Sequence, residues 1–596
     1  TVTSARMAPV TAMPPAASSR LDPKRVTVAT FENQTGSAAL DPVGRMAADW
    51  ITHGLVQTGL VDLVDARTAM RRSSGDSAMS DAMNGRDLRS LVDATNAGTI
   101  ISGSYYLEND SLRFEARITD ATTGKLVAMI ESPSVAVGQP ARGVDPLRQR
   151  VMGALATMLD ARFREWSHTA AIAPTYPAYR EFADGVDAYQ RGDFVAAIAH
   201  LTRASTIDTS FHLAQLWAVQ AYNNFVHGNL ALNSIDTVDT AAMRPVRDSL
   251  YAVLQAAREE LGPLDRTLLD FLFALDHFDR GADLHYGRQL VALWPDRYAF
   301  NVGLVALRRS RPREAMELMR RTDPEHGFVA RWPSYWTTLD LAEHELGWYQ
   351  QELADGERAR RLIPEDIDFW VGMKLRALAA MGRTEEAMAL AGAADTLPGG
   401  GVDNGWWQMF DWLVLTNELK AHGQPVAARQ AAERGLAWAK RRPAVEQTTD
   451  DHLPALCDLL YAGEQWDEAR RVCGAVVAKH ADDPDVLMHL ASLAARHGDR
   501  AAAERFAVRL AHAKLIGWDG IIFAPSPAAA RAQLAQLARA HIAALTGQRD
   551  EAVRLLQAEA DRWILWDPLL NQLDWDPDFA SLRGYPPFEA MRRPAG

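Results

Sequence analysis

The sequence holds only two cysteines, Cys457 and Cys473, among 596 residues. That is too few for a disulfide framework or a cysteine-rich zinc site. On the facing helices of one hairpin they read first as buried free thiols, with a bond left open for an oxidising compartment and matching geometry. No apolar run reaches the ~18 residues of a membrane span, and no signal-peptide pattern is present. The chain starts at Thr1 and not at Met, which raises the expectation of an export or anchoring segment upstream. Catalytic signatures are missing as well. There is no G-x-S-x-G elbow, no H-R-D catalytic loop and no D-F-G, so any kinase domain would lie outside this chain.

Positive charge is not in excess either. The chain has 63 Lys and Arg against 76 Asp and Glu, a net charge of −13. Residues 1–165 hold 18 of each sign, leaving 45 basic against 58 acidic residues in the remainder. Excess acid in the long C-terminal part argues against binding a phosphate backbone, so no nucleic-acid partner is expected. Apolar content of 48% and charged content of 23% are ordinary for globular proteins.

What is abundant is one repeated pattern. Arg191-Gly-Asp-Phe-Val-Ala-Ala-Ile-Ala-His-Leu-Thr-Arg-Ala-Ser-Thr-Ile-Asp208 places a turn before a helix with small Ala197, bulky Leu201 and small Ala204. Equivalent turn positions fall at Gly192, Ser310, Gly347, Gly382, Gly423, Glu464, Gly498 and Gly547. Five residues after each stand Ala197, Ala315, Glu352, Ala387, Ala428, Ala469, Ala503 and Ala552. A small residue belongs where two helices of a hairpin approach most closely, and Glu352 alone breaks the rule. Several intervals are close to the 34-residue period of tetratricopeptide repeats, a family that residues 178–562 resemble. Two or three degenerate hairpins are expected between Gly192 and Ser310. The aromatic and proline-rich residues 563–596 are expected to cap the array.

The first part differs. Residues 1–23 read as a linker, and from Lys24 the pattern alternates as β-strand. The predicted order is a strand at Arg25–Phe31, a helix from Val43 to Thr58 with Met46, Trp50, Ile51 and Leu55 on its inner face, and a strand at Val61–Val64. A helix at Arg86–Ala97, strands at 99–106, 112–119 and 125–130, and a helix at Asp145–Phe163 follow. Leu112, Phe114, Ala116 and Ile118 give one buried face. The fold class is therefore mainly α, with an α/β sandwich at 24–165, a joint at 166–177 and a helical-hairpin superhelix beyond.

Five ordered motifs carry a second resemblance: 26–36, Gly44-Arg-Met-Ala-Ala-Asp-Trp-Ile51, 61–66, 101–106 and Ile118-Thr-Asp-Ala-Thr-Thr-Gly-Lys125. They resemble the domain related to the TolB N-terminal fold, as found after the membrane helix of certain bacterial serine/threonine kinases. None is a catalytic motif, so the resemblance implies fold and signalling context only.

Three short motifs were weighed as sites. His344-Glu345-Leu-Gly-Trp348 begins like H-E-x-x-H, but Trp348 replaces the second ligand. Asp574-Trp-Asp-Pro-Asp578 alternates like a calcium loop but lacks the glycine and closing glutamate, so it reads as a cap and turn. Pro398-Gly-Gly-Gly401 lacks a phosphate-loop lysine. No catalytic, cofactor-binding or metal-binding residue is therefore expected. Partner contacts are expected instead at Glu352 and at Trp406-Trp407, since adjacent helix positions do not point into one core.

The resulting expectation is a non-enzymatic, extracytoplasmic scaffold or sensor ectodomain that takes a protein or peptide in a groove, tethered to the membrane through an upstream segment. Three alternatives stay open: an extrinsic subunit docked on a membrane complex, the sensor half of a cytoplasmic transcription regulator, and a hydrolase whose convergent titratable groups the superhelix would assemble.

Overall fold

The computed structural model describes residues 21–66, 88–160, 173–225, 240–277, 279–326, 329, 332–364, 367–395, 406–444, 446–448, 452–479, 483–513, 527–560 and 573–593. The chain divides into two compact units, residues 1–218 with 257–262, and residues 219–256 with 263–596. Among the described helices none is long and apolar enough to cross a membrane.

The first unit is built on a sheet of β1 (Arg25–Val28), β2 (Glu32–Asn33), β3 (Asp62–Val64), β4 (Thr99–Glu108), β5 (Ser111–Asp120), β6 (Leu126–Glu131) and β7 (Val135–Ala136). The main order is β3-β1-β4-β5-β6, with β1 parallel to both its neighbours and β4, β5 and β6 antiparallel. Leu112, Phe114, Ala116 and Ile118 of β5 are fully buried, as their alternation predicts. Helices α1 (Asp41–Thr58) and α3 (Ala141–Leu159) pack against each other and cover the sheet, and α2 (Leu88–Thr95) buries Leu91. Gly44 of α1 permits this packing: a Cβ there would stand 2.1 Å from the Phe31 carbonyl oxygen.

Two local expectations are corrected. Trp50 is exposed, because the buried stripe of α1 runs through Ala47, Ile51 and Leu55 and leaves position 50 at its edge. Helix α3 begins at Ala141, one turn before Asp145, and keeps Pro146 inside it while Val144 and Leu147 are buried. The first hairpin, α4 (Tyr176–Gln190) and α5 (Phe194–Ile207), packs in this same unit. Arg150 of α3 donates to the Ala173 carbonyl and to Ser210 and pairs with buried Asp208, which also accepts from the Thr175 amide.

Helix α6 (His212–Asn223) leads on to the second unit, which contains α7 (Thr240–Ala256) and a series of hairpins. These are α8 (Pro263–Asp276) with α9 (Arg280–Leu293), α10 (Pro295–Arg308) with α11 (Pro312–Met319), and α12 (Pro333–Glu345) with α13 (Tyr349–Leu362). Next come α14 (Ile367–Ala380) with α15 (Thr384–Ala394) and α16 (Trp406–Ala421) with α17 (Pro425–Arg441). The series continues with α18 (His452–Ala462) and α19 (Trp466–Lys479), α20 (Pro484–Arg496) and α21 (Arg500–Leu510), and α22 (Pro527–Leu545) and α23 (Arg549–Ala560).

All eight predicted turn residues have positive φ, from 53° at Ser310 to 78° at Gly192 and Gly547. The left-handed turn lets the chain reverse within three residues, and it explains the preference for glycine there. The seven alanines five positions on are fully buried, and Glu352 is 1% exposed. The mainly α fold, an α/β domain followed by tetratricopeptide-like hairpins, therefore follows from steric rules that the sequence displays. From α10 to α22 the first helices of successive hairpins touch one another, while each second helix packs on the first helix of the next hairpin. First helices thus form the inner layer and second helices the outer one.

Cys457 and Cys473 are bonded, which corrects the free-thiol reading. They sit on α18 and α19 with a Cα–Cα distance of 5.3 Å, inside the range a disulfide spans. Five of the eleven described tryptophan side chains, Trp217, Trp336, Trp370, Trp412 and Trp438, are buried in the core.

Candidate functional site

A group of buried ionisable side chains in the second unit lies on the inner layer, where α12, α13, α14 and α16 meet. Helix α12 contributes Asp340, Glu343 and His344, which share one face because they are three and four positions apart. Glu352 comes from the first turn of α13, Arg376 from α14, and Glu418 and His422 from the last turn of α16 and the residue after it. All are buried except His422, whose side chain is 21% exposed and so connects the group to solvent.

The geometry centres on His344. Its Nδ1 lies 3.1 Å from both carboxylate oxygens of Glu352, and its Nε2 lies 3.1 Å from Glu418 Oε2. The same Glu418 oxygen is 3.6 Å from His422 Nε2, and Glu418 Oε1 is 3.9 Å from Arg376 Nε. The Tyr349 ring packs edge-on against His422, 5.3 Å between centroids. Acids outnumber bases, and the electrostatics follow. Burial works against charge on His344, yet Glu418 and Glu352 outweigh it and push its pKa well above the usual value. Burial likewise opposes ionisation of Glu418, but His344, His422 and Arg376 hold it well below the carboxylate range. Burial, followed by Glu352, pushes Asp340 well up. Burial and neighbouring Asp355 push Glu343 up to about 9. Asp340 Oδ1 is buried with no hydrogen-bond partner among the described residues.

A second group gathers around the C-terminal segment. Asp576 caps the short helix Pro577–Leu582 by accepting from the Asp578 amide, the cap role its motif predicts. Asp578 is buried and accepts from Tyr461 of α18, Arg496 of α20 and His541 of α22. Leu573, Phe579, Leu582 and Phe588 join the core of α20 to α23, and Tyr585 hydrogen-bonds Asp550 of α23. Residues 573–593 therefore cover the end of the array, and they also lie across three first helices on its inner layer. The remainder of the expected cap, 563–572 and 594–596, lies outside the described residues.

Of the sequence-predicted partner residues, Glu352 is buried against His344 and turned away from solvent. The side chains of Trp406 and Trp407 lie outside the described residues, although both positions open α16. The Pro398–Gly401 loop also lies outside them. Sequence reasoning missed Glu418 and His422 as partners of His344. Their i, i+4 spacing at a helix end was the available signal, and it has meaning only once α16 is placed against α12. The convergent titratable groups that a hydrolytic reading requires are present in this cluster.

The arrangement defines a class by fold alone: an α/β domain followed along the chain by a tetratricopeptide-type hairpin array. Comparison with known proteins adds the following. The family model described as FlgO protein matches residues 11–133. Among solved structures, the tetratricopeptide domain of P58(IPK) aligns at 13% identity over 56% of this chain and 99% of that domain, with a TM-score of 0.18. That overlap is too loose to argue from, and the hairpin fold rests on the turns and helices described above. No curated protein matches the chain.

Proposed function

We propose that this protein is a non-catalytic, extracytoplasmic binding scaffold or sensor ectodomain that holds a segment of a protein partner on the inner layer of its hairpin array. The observation that carries the reading is the seat of residues 573–593. A stretch of short helical turns, Pro577–Leu582 and Pro586–Met591 among them, already lies across α18, α20 and α22, fixed by one buried carboxylate and several apolar side chains. The inner layer is thus suited to a short, turned segment that presents a few spaced anchors. The first helices before α18 are where a partner would bind, with Trp406 and Trp407 as aromatic anchors and Glu352 fixing the layer behind them.

Extracytoplasmic placement is supported by the bonded pair Cys457–Cys473, since such bonds persist in oxidising compartments. The likeness of residues 11–133 to the FlgO protein family model fits such a setting for the N-terminal module. Attachment through an upstream segment would let partner binding bias that module.

The test is site-specific photo-crosslinking in native cells from position 406 or 407, with exposed Val508 on outer-layer α21 as control. The expected result is one discrete adduct from the inner positions and none from Val508, together with thiols that resist alkylation until reduced. Equal adducts from both layers, or freely alkylated thiols, would contradict the proposal. A hydrolytic reading has the convergent cluster around Glu343 and His344 in its favour. Hydrolysis of peptide or glycoside libraries that vanishes in Glu343→Gln would replace the scaffold reading.

A further inference from the structure

We propose that His344, Glu418 and His422 form a site for a divalent transition cation of the zinc class, with Glu352 as the carboxylate that orients His344; this goes beyond the scaffold reading and does not depend on it. Zinc takes imidazole nitrogen and carboxylate oxygen at ~2.0–2.2 Å, so neighbouring ligand atoms of a tetrahedral site stand ~3.3–3.6 Å apart. The observed separations are 3.1 Å from His344 Nε2 to Glu418 Oε2 and 3.6 Å from Glu418 Oε2 to His422 Nε2. All three ligand atoms lie within 4.8 Å of one another. The His422 side chain is 21% exposed, which leaves its ring free to turn toward the other two ligands.

Three further features fit a cation and not merely an ion pair. The first is the partner of the other imidazole nitrogen. A metal-bound histidine usually gives its second N–H to a carboxylate, and Glu352 receives His344 Nδ1 at 3.1 Å. Glu352 occupies the one close-approach position of the eight that is not alanine and buries a carboxylate where the other seven pack a methyl group; α9 likewise buries Asp283 there, but pairs it with Arg309.

The second is charge. Glu352 and Glu418, both buried, flank the His344 ring on its two nitrogens, so a dication held there would have two buried carboxylates to offset it. Asp340 Oδ1, buried and without a hydrogen-bond partner among the described residues, borders the same space. The third is access: His422 opens to solvent, which leaves an entry path and a fourth coordination position for water or a partner side chain.

The site accounts for the near-miss in the sequence. His344-Glu345-Leu-Gly-Trp348 lacks its second helical ligand, and the missing ligands come instead from Glu418 and His422 on another hairpin. Binding places the metal on Nε2 of His344, and any proton held there leaves to solvent.

The test uses the full chain stripped with a chelator and titrated calorimetrically with zinc chloride, with cobalt chloride as a spectroscopic probe. One zinc per chain is expected, with visible absorption from bound cobalt in a tetrahedral field. Glu352→Ala is expected to weaken binding about 10–100-fold, the loss typical of an orienting partner. His422→Ala should abolish the cobalt band, and the far-ultraviolet dichroism of each variant checks that it folds. No saturable binding to the unaltered chain, or a cobalt spectrum unchanged in His422→Ala, would overturn the proposal.

Discussion

Two buried histidines of the same array, His344 and His541, each lie between carboxylates, and the contrast between their surroundings separates two kinds of buried charge. Around His541, Asp578 is met by Arg496, Tyr461 and the imidazole, and Asp576 accepts the Asp578 amide. Asp578 and His541 have fixed protein partners there, while Asp576, raised by burial, stands 3.7 Å from His541 Nδ1. Burial opposes ionisation of Asp578, but His541 and Arg496 hold it well below the carboxylate range. That group acts as a pin fastening residues 573–593 to three first helices. Around His344 the acids are in excess, and burial leaves Glu343 and Asp340 with strongly raised pKa values. A saturated cluster builds structure, whereas an unbalanced one has capacity left for a ligand. The position of each in the repeat agrees: the pin uses residues of the terminal segment, while the unbalanced cluster replaces a packing alanine with Glu352.

Breaking the pin should have the largest effect. Asp578→Ala leaves Arg496 and His541 buried without their counter-charge, and a loss of about 3–5 kcal/mol is expected for such a break. Urea unfolding of the full chain, followed by tryptophan fluorescence, measures it. Removing the disulfide through Cys457→Ala with Cys473→Ala frees a loop of 16 residues and should cost about 3 kcal/mol by the same measurement.

The pin also predicts a pH window. Asp578 has a depressed pKa, so its contribution is present above the unfolded value of ~3.9 and is lost as pH falls through the folded one. His541, whose burial is outweighed by Asp576 and Asp578, has a raised pKa, so its contribution is complete below ~6.5 and is lost as pH rises through the folded value. Asp576 works in the opposite sense, since burial raises it. The stabilisation lost in Asp578→Asn should therefore be greatest between pH ~4 and ~6.5 and shrink on either side.

The unbalanced cluster should respond with the opposite sign. Glu343 is pushed up to about 9, so above its unfolded value near 4.5 the folded chain carries a growing penalty for retaining that proton. Glu343→Gln should stabilise the protein by at least about 1 kcal/mol at pH 8 and far less at pH 4. The smallest effect falls outside both clusters. Ser310 holds φ of 53° at a turn where the other positions are mostly glycine, and Ser310→Gly should raise stability by about 1 kcal/mol.

The architecture was legible because local sterics write it into the chain. Left-handed turns select glycine, close helix approach selects alanine, and the alternation in β5 marks its buried face. Even Ser310 and Glu464 were identifiable as turn residues from the spacing of their neighbours. Trp50 was misplaced because it sits beside a buried stripe, where periodicity alone does not fix the edge. The cluster around His344 was hidden for a different reason: it joins positions 344, 352, 418 and 422 across three helices, and only the stacking of hairpins brings them within 4 Å. Glu352 was visible as an exception, but its role depends on what faces it. The seat of Asp578 was likewise unreadable, since helical turns as short as Pro577–Leu582 hold too few residues for a period that points to their neighbours.

The contrast between the two clusters is tested most directly by anomalous diffraction at the zinc absorption edge from crystals of the full chain soaked in zinc chloride. A single strong peak bounded by His344 Nε2, Glu418 and His422, with none between His541, Asp576 and Asp578, is the predicted result. A peak at the Asp578 cluster, or no peak at His344, would contradict the account.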